Sequence, residues 1–222
     1  MAMKNRRVIP PLVIRRLTKY LAHVQVLCEE RVEWVSSQEL ASTLGLTSST
    51  VRQDLSYVEF SGISKRGYRT DGLQSELTQV LGVDKPWKMV VVGAGNLGRA
   101  LAMHGEFPRR GFNICGIFDN DRRIVGRKVG RLTVQPDTEL GPFVAREGID
   151  IGVMAVPAAA AQDVADLLVR SGVRGLLNLA LTHLRVPPHV CVIDSRIVAS
   201  LVELSHALKY AEETGQGQLL KS

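Results

Sequence analysis

The stretch MVVVGAGNLG, residues 89–98, decides how the chain is read. Met89 to Val92 form an apolar run of a length that suits a buried strand. The run leads straight into Gly93-x-Gly95-x-x-Gly98, and a helical stretch, Arg99 to Met103, follows. A second strand, Asn113 to Phe118, ends in Asp119. This order gives each glycine a task. Gly93 makes the tight turn, Gly95 lets a pyrophosphate approach the backbone, and Gly98 lets helix and strand pack closely. The helix start supplies free N–H groups for phosphates. Asp119 arrives where an acid hydrogen-bonds the adenosine ribose. The expected ligand is a nicotinamide dinucleotide, held by Gly93, Ala94, Gly95, Asn96, Leu97, Gly98 and Asp119. The acid repels a 2′-phosphate, which favours NADH/NAD+ over NADP(H). Arg122 and Arg123 follow closely and pull the other way.

Downstream the alternation continues. Strands are expected near Leu132–Val134, Ile149–Val156, Gly175–Leu179 and Val190–Ile193, with helices over Pro142–Glu147 and Ala158–Ser171. Strands alternating with helices give an α/β doubly wound parallel sheet of the Rossmann type. Ala155–Val156–Pro157 and Asn178–Leu179–Ala180 would fall at its carboxyl edge, where ligands bind. Val156, Pro157 and Asn178 therefore join the candidate cofactor contacts.

Upstream of Lys85–Pro86–Trp87 the pattern differs. A helix over Pro11–Cys28 carries Leu17, Leu21 and Val24 toward a core. Ser36 and Glu39 have the spacing of a capping box. Leu40, Ala41 and Leu44 form a short apolar face, and Gly45 ends that helix. Thr47 is a good N-cap for a second helix, in which Val51, Leu55 and Val58 face inward. Ser48, Ser49, Arg52, Gln53 and Ser56 are left outside, side chains of the kind that reach phosphates and base edges. Gly62 ends the element, and Ile63 to Thr70 reads as a small basic hairpin, or wing, around Lys65 and Arg66. The whole is an N-terminal winged helix-turn-helix, the alternative being a plain three-helix packing unit.

Charge supports a nucleic-acid partner. The chain carries a formal +6, and residues 1–20 hold Lys4, Arg6, Arg7, Arg15, Arg16 and Lys19 with no acid. No apolar run of about eighteen residues occurs, so no membrane-spanning helix is expected. Pro10 and Pro11 stand where a leader would place its apolar block, so the expected location is cytoplasmic. Cys28, Cys115 and Cys191 lack metal-ligand spacing and read as reduced thiols. The last helix, Arg196 to Ala211, carries Ile197, Leu201, Leu204, Leu208 and Ala211 as an apolar stripe that must pack on something. A second copy of the chain is preferred over docking on its own domain, because helix-turn-helix proteins read paired half-sites. The expected divisions are residues 1–83 for DNA binding, 84–195 for NAD(H), and 196–222 for the dimerisation helix and tail. An NAD-dependent oxidoreductase with an appended helical domain is the competing class, but His104, His183, His189 and His206 are scattered and form no acid–base set. A bound nucleotide other than NAD, such as CoA, is a further alternative.

The order of winged helix, glycine-rich sheet domain and terminal helix resembles the Rex family of redox-sensing transcriptional repressors. The resemblance is carried by Ser36–Leu40, Thr50–Tyr57, Val92–Gly98, Phe118–Asp121, Val156–Gln162 and Gly175–Asn178. It implies a homodimer that occupies double-stranded operator DNA when NADH is scarce and leaves when NADH binds. It also implies a domain-swapped C-terminal helix, a DNA contact at Tyr57, and a minor-groove contact at Lys65 or Arg66. It assigns no catalytic residue and no metal. The chain departs from the family pattern in Arg52–Gln53–Asp54, in Ser64–Lys65–Arg66–Gly67–Tyr68, at His104, at Arg196 and in Asn178–Leu179–Ala180–Leu181.

Overall fold

The computed structural model of the chain describes residues 8–58 and 60–214. Lys4, Arg6 and Arg7 of the basic cluster lie outside the described residues. Two compact units divide the chain: one runs to Asp84 and also takes the last helix from Leu204, and the other runs from Lys85 to Glu203.

In the first unit, α1 (Pro11–Glu29) starts with proline in its first turn and buries Val13, Leu17, Tyr20, Leu21 and Val24 along one stripe. β1 (Trp34–Val35) leads to α2 (Ser37–Leu44), whose start is the expected capping box. Ser36 Oγ accepts the Glu39 N–H at 3.1 Å, and the Ser36 N–H donates to Glu39 Oε2 at 2.6 Å. Gly45 closes the helix in the left-handed region. Thr47 caps α3 (Ser48–Leu55), accepting from the Thr50 N–H at 3.1 Å. α3 is shorter than expected, yet Val58 remains buried because a turn continues past Leu55. The wing is slight. Ile63 bridges Gly67, and β2 (Tyr68–Arg69) pairs antiparallel with β1. A helix absent from the sequence reading follows, α4 (Thr70–Val80), which buries Thr70, Leu73 and Leu77 in the same core as α1.

The second unit contains β3 (Trp87–Val92), α5 (Asn96–Ala102), α6 (Glu106–Arg109), β4 (Phe112–Asp119), β5 (Lys128–Val129) and β6 (Leu132–Pro136). A 3-10 turn, Asp137–Glu139, leads into α7 (Leu140–Glu147), then β7 (Ile151–Met154), α8 (Ala158–Arg170), β8 (Gly175–Asn178) and β9 (Cys191–Asp194). The sheet order is β5-β6-β4-β3-β7-β8-β9, parallel throughout except for the β5–β6 hairpin. The six parallel strands run 3-2-1-4-5-6, the doubly wound order whose direction reverses between β3 and β7. Val90, Val92 and Phe118 fill the core on one face, and Met89, Val91 and Ile117 fill it on the other. Burial on both faces is why β3 reads as a continuous apolar run.

The last helix, α9 (Ile197–Thr214), contributes nothing to the buried core. Ile197, Val198, Val202, Leu204 and Leu208 stay 51–67% exposed. Among the described residues no helix is long and apolar enough to cross a membrane.

Candidate functional site

The glycine loop sits at the carboxyl end of β3, where strand order reverses. Gly93 adopts φ +98°, and its N–H donates to Phe118 O at 2.8 Å. A Cβ there would lie 2.3 Å from Ala155 O, so the end of β3 rests directly against the chain leaving β7. A Cβ on Gly98 would lie 1.8 Å from Gly93 O, so the first turn of α5 packs on the loop backbone itself. Gly95 is different: nothing lies within 4 Å of its Cβ direction. Two glycines are thus required by the protein's own backbone, while the middle one faces open space. α5 begins at Asn96, three residues earlier than expected, with Gly95 as its N-cap and no side chain capping it. Asn96 and Leu97 are exposed at that start, whose N–H groups point out of the helix toward an incoming ligand.

Asp119 ends β4 and is tied from both sides. Its Oδ2 accepts the Ala94 N–H at 2.6 Å, and its Oδ1 accepts the Asp121 N–H at 2.8 Å. The acid is therefore locked to the glycine loop, with lone pairs remaining for ribose hydroxyls. Val156 is half-buried, with Cγ1 3.2 Å from the Cβ direction of Gly93, and Pro157 is exposed as the N-cap of α8. Gly93 to Gly98, Asp119, Val156 and Pro157 therefore gather at the ends of three adjacent strands.

Asn178 ends the next strand, β8, with its amide engaged inside the protein. It is fully buried, and its Nδ2 donates to Thr182 O at 2.8 Å and Asp194 Oδ1 at 2.7 Å. Its Oδ1 accepts the Ala180 N–H at 3.1 Å. Both amide donors are occupied inside the protein, so Asn178 shapes the turn after β8. Its position at the carboxyl edge is as expected; the direction of its side chain is not visible in sequence.

In the first unit, α3 presents Ser49, Arg52, Gln53 and Ser56 to solvent, with Ser48 half-buried. Ser49 and Thr50 hydroxyls both lie 2.8 Å from Thr47 Oγ1, and the Ser56 hydroxyl donates to Gln53 O at 2.6 Å. Arg52 Nη1 donates to Ser37 Oγ at 3.1 Å, which steadies the guanidinium between α3 and the start of α2. Tyr57 is half-buried against the helical core. The two wing cations behave differently. Lys65 is exposed in the left-handed region, whereas the Arg66 guanidinium lies 4.1 Å from the centre of the Trp34 ring. A cavity of about 570 Å³ lies behind the wing, lined by Arg31, Trp34, Arg66, Arg69 and Asp71 among others, and no residue of the glycine loop reaches it.

The inner face of α3 holds residues that the sequence reading missed. Asp54 is buried and accepts from Arg16 Nε at 2.6 Å, Arg16 Nη2 at 2.7 Å and the Tyr20 hydroxyl at 2.6 Å. This fork-on-carboxylate pair fastens α3 to α1. Burial, reinforced by Asp54, pushes the Tyr20 hydroxyl pKa up, and the hydrogen bonds that Arg16 donates to Asp54 raise its own. Arg16 belongs to the expected basic cluster; the structure commits its guanidinium to Asp54. Among the described residues no group of three His, Cys, Asp or Glu side chains could hold a metal.

Comparison with known proteins agrees with both units. The family model "CoA binding domain" matches residues 84–182, and "Putative DNA-binding protein N-terminus" matches residues 8–56. The redox-sensing transcriptional repressor Rex of Carboxydothermus hydrogenoformans is 41% identical over 201 residues, covering 90% of this chain and 97% of the relative. That of Thermotoga petrophila is 44% identical, covering 87% and 92%. Among solved structures, the Rex-family repressor RSP in complex with NADH superimposes with TM-score 0.84 at 37% identity, covering 93% of this chain and 97% of that one. RSP in complex with NAD+ and operator DNA gives TM-score 0.87 at 35% identity, covering 96% and 100%. With this identity sustained over almost its full length, the chain belongs to the Rex family of redox-sensing transcriptional repressors.

Proposed function

We propose that this chain is a redox-sensing repressor that binds paired operator half-sites as a homodimer and releases them when NADH occupies its sheet unit. One observation carries the reading: a helix with exposed Ser49, Arg52, Gln53 and Ser56 shares a chain with a glycine loop hydrogen-bonded to Asp119. Ser48, Ser49, Arg52, Gln53, Ser56 and Tyr57 form the DNA-facing set, with Lys65 leading the wing and Arg66 held beside it on Trp34. Gly93, Ala94, Gly95, Asn96, Leu97 and Gly98 take the pyrophosphate, Asp119 the ribose, and Val156 and Pro157 the far wall. The exposed apolar stripe of α9 supports the second copy of the chain as its cover, since a stripe of this size is costly to leave in water. The site of action is the cytoplasm, where NADH and operator DNA meet. The relatives are repressors and not dehydrogenases, so the oxidoreductase alternative is dropped.

NADH can shift operator binding only if it prefers one of two dimer states, and the effect must then be reciprocal. The test is operator binding by fluorescence anisotropy, titrated with NADH, NAD+ and CoA. NADH is expected to release DNA at lower concentration than NAD+, and CoA to have no effect. Equal effects of NADH and NAD+ would remove the redox-sensing claim. Arg52→Ala is expected to weaken operator binding about tenfold or more and to keep NADH binding. Asp119→Ala is expected to do the reverse.

A further inference from the structure

The segment after Asp119 is strongly basic. Arg122, Arg123, Arg127, Lys128 and Arg131 face a single acid, Asp121, in residues 120–131. A cation beside the adenosine ribose is what admits a 2′-phosphate. Taken as a sequence, this loop therefore argues for NADPH as strongly as Asp119 argues against it.

The structure separates the two. Arg123 folds onto Asp121: its backbone N–H donates to Oδ1 at 2.9 Å, its Nε to Oδ1 at 3.0 Å and Oδ2 at 3.1 Å, and its Nη2 to Oδ2 at 2.8 Å. The Asp121 N–H is itself held by Asp119, and Asp119 by Ala94. A relay of three bonds thus runs from the glycine loop to the Arg123 guanidinium. The hydrogen bond from the Arg123 side chain is the main reason that the Asp121 carboxyl titrates at about 2, so the pair stays charged at every physiological pH. The Arg123 side chain is 86% exposed, so nothing but Asp121 restrains it among the described residues.

We infer that Asp121 is a specificity-determining residue for the dinucleotide: its carboxylate engages Arg123 and withholds that guanidinium from a 2′-phosphate. Selectivity for NADH over NADPH then depends on two acids. Asp119 repels the phosphate directly, and Asp121 keeps a compensating cation of the following loop occupied. The inference rests on residues 93–98 and Asp119 being the dinucleotide site.

The readout is the ratio of NADPH to NADH affinity, because a merely structural loss would weaken both alike. Wild type, D121N, R123A and D121N/R123A are titrated with each dinucleotide by tryptophan-to-nicotinamide energy transfer. D121N is expected to raise the NADPH/NADH affinity ratio about two- to fivefold, the range an exposed charge pair carries. R123A should leave the ratio at its wild-type value, and the double variant should fall back to it. An unchanged ratio in D121N overturns the inference, as does equal loss of both ligands. A gain that persists in the double variant overturns it too, since removal of one negative charge would then suffice. Wild type that binds NADPH as tightly as NADH leaves no selectivity to assign and has the same force. Wild type that fails to bind NADH removes the dinucleotide reading itself, and the inference falls with it.

Discussion

In the first unit α3 is mounted by charge; in the second, the glycine loop is mounted by missing side chains. α3 is eight residues long and buries few apolar groups, so packing alone fixes its rotation weakly. Asp54, gripped by Arg16 and Tyr20, supplies the angular restraint that Val51 and Leu55 cannot. The glycine loop has the opposite problem. Two strand ends and a helix must converge tightly enough to leave room for a ligand, and any Cβ at Gly93 or Gly98 would collide with backbone. One unit adds a polar lock to an apolar core; the other removes atoms until backbone meets backbone.

The sharpest break of that contrast is at Gly98. Gly98→Ala places a Cβ 1.8 Å from Gly93 O, where neither partner is a flexible side chain. The expected cost is about 3 kcal/mol or more, with loss of NADH binding. Gly95→Ala should cost about 1 kcal/mol or less, through its N-cap place, yet still weaken NADH. Denaturant melts beside NADH titrations check both. Similar stability losses at the two positions would mean that the loop is not held by close approach.

Next in size is the polar lock. Arg16→Ala strands a buried carboxylate with only Tyr20 beside it and should cost about 3 kcal/mol. Asp54→Asn removes the charge that pairs with Arg16 and turns an N–H2 toward one of the three donors, so it should cost a similar amount. The loss of stability matters: a basic residue that served DNA alone would lower operator affinity without lowering stability. The lock also carries a pH signature. The Tyr20 hydroxyl is raised above its ordinary value of 10.0, chiefly by burial. Its contribution is complete below about pH 10 and is lost as pH rises toward the folded value, because the unfolded chain releases the proton first. Stability of the first unit should therefore fall more steeply above pH 10 than it does in Tyr20→Phe.

The smallest effect lies at the capping box. Ser36→Ala removes the acceptor for the Glu39 N–H and should cost about 1 kcal/mol. The Ser36 N–H holds the Glu39 carboxyl below the usual carboxylate range. That contribution is present above the ordinary value and is lost as pH falls through the depressed one. An acid titration of Glu39 by NMR, compared with Glu39→Gln, checks it.

Local rules made much of this legible. The capping box, the Thr47 cap and the glycine loop are each written within a few residues, and each forms as read. The Arg16–Asp54 pair spans 38 residues, and nothing near Arg16 distinguishes it from Arg15 or Lys19. α4 was missed although Leu73 and Leu77 have helical spacing, because Gly72 in its first turn reads as a breaker. The glycine is there because a Cβ would meet the Phe60 ring at 2.7 Å, a tertiary fact. Asn178 is legible as a residue of the carboxyl edge, but strand position alone does not reveal that its amide closes a loop onto Thr182.

The lock beneath α3 has a consequence for how this protein can change. Because Asp54 holds the helix from its inner side, the outer residues Ser49, Gln53 and Ser56 carry almost none of the burden of folding. In the DNA-facing role proposed for them, their replacement alters which bases are read and leaves the scaffold standing. Descendants of such a repressor can drift to new operators one side chain at a time, and an engineer can graft a foreign reading face onto the same mount.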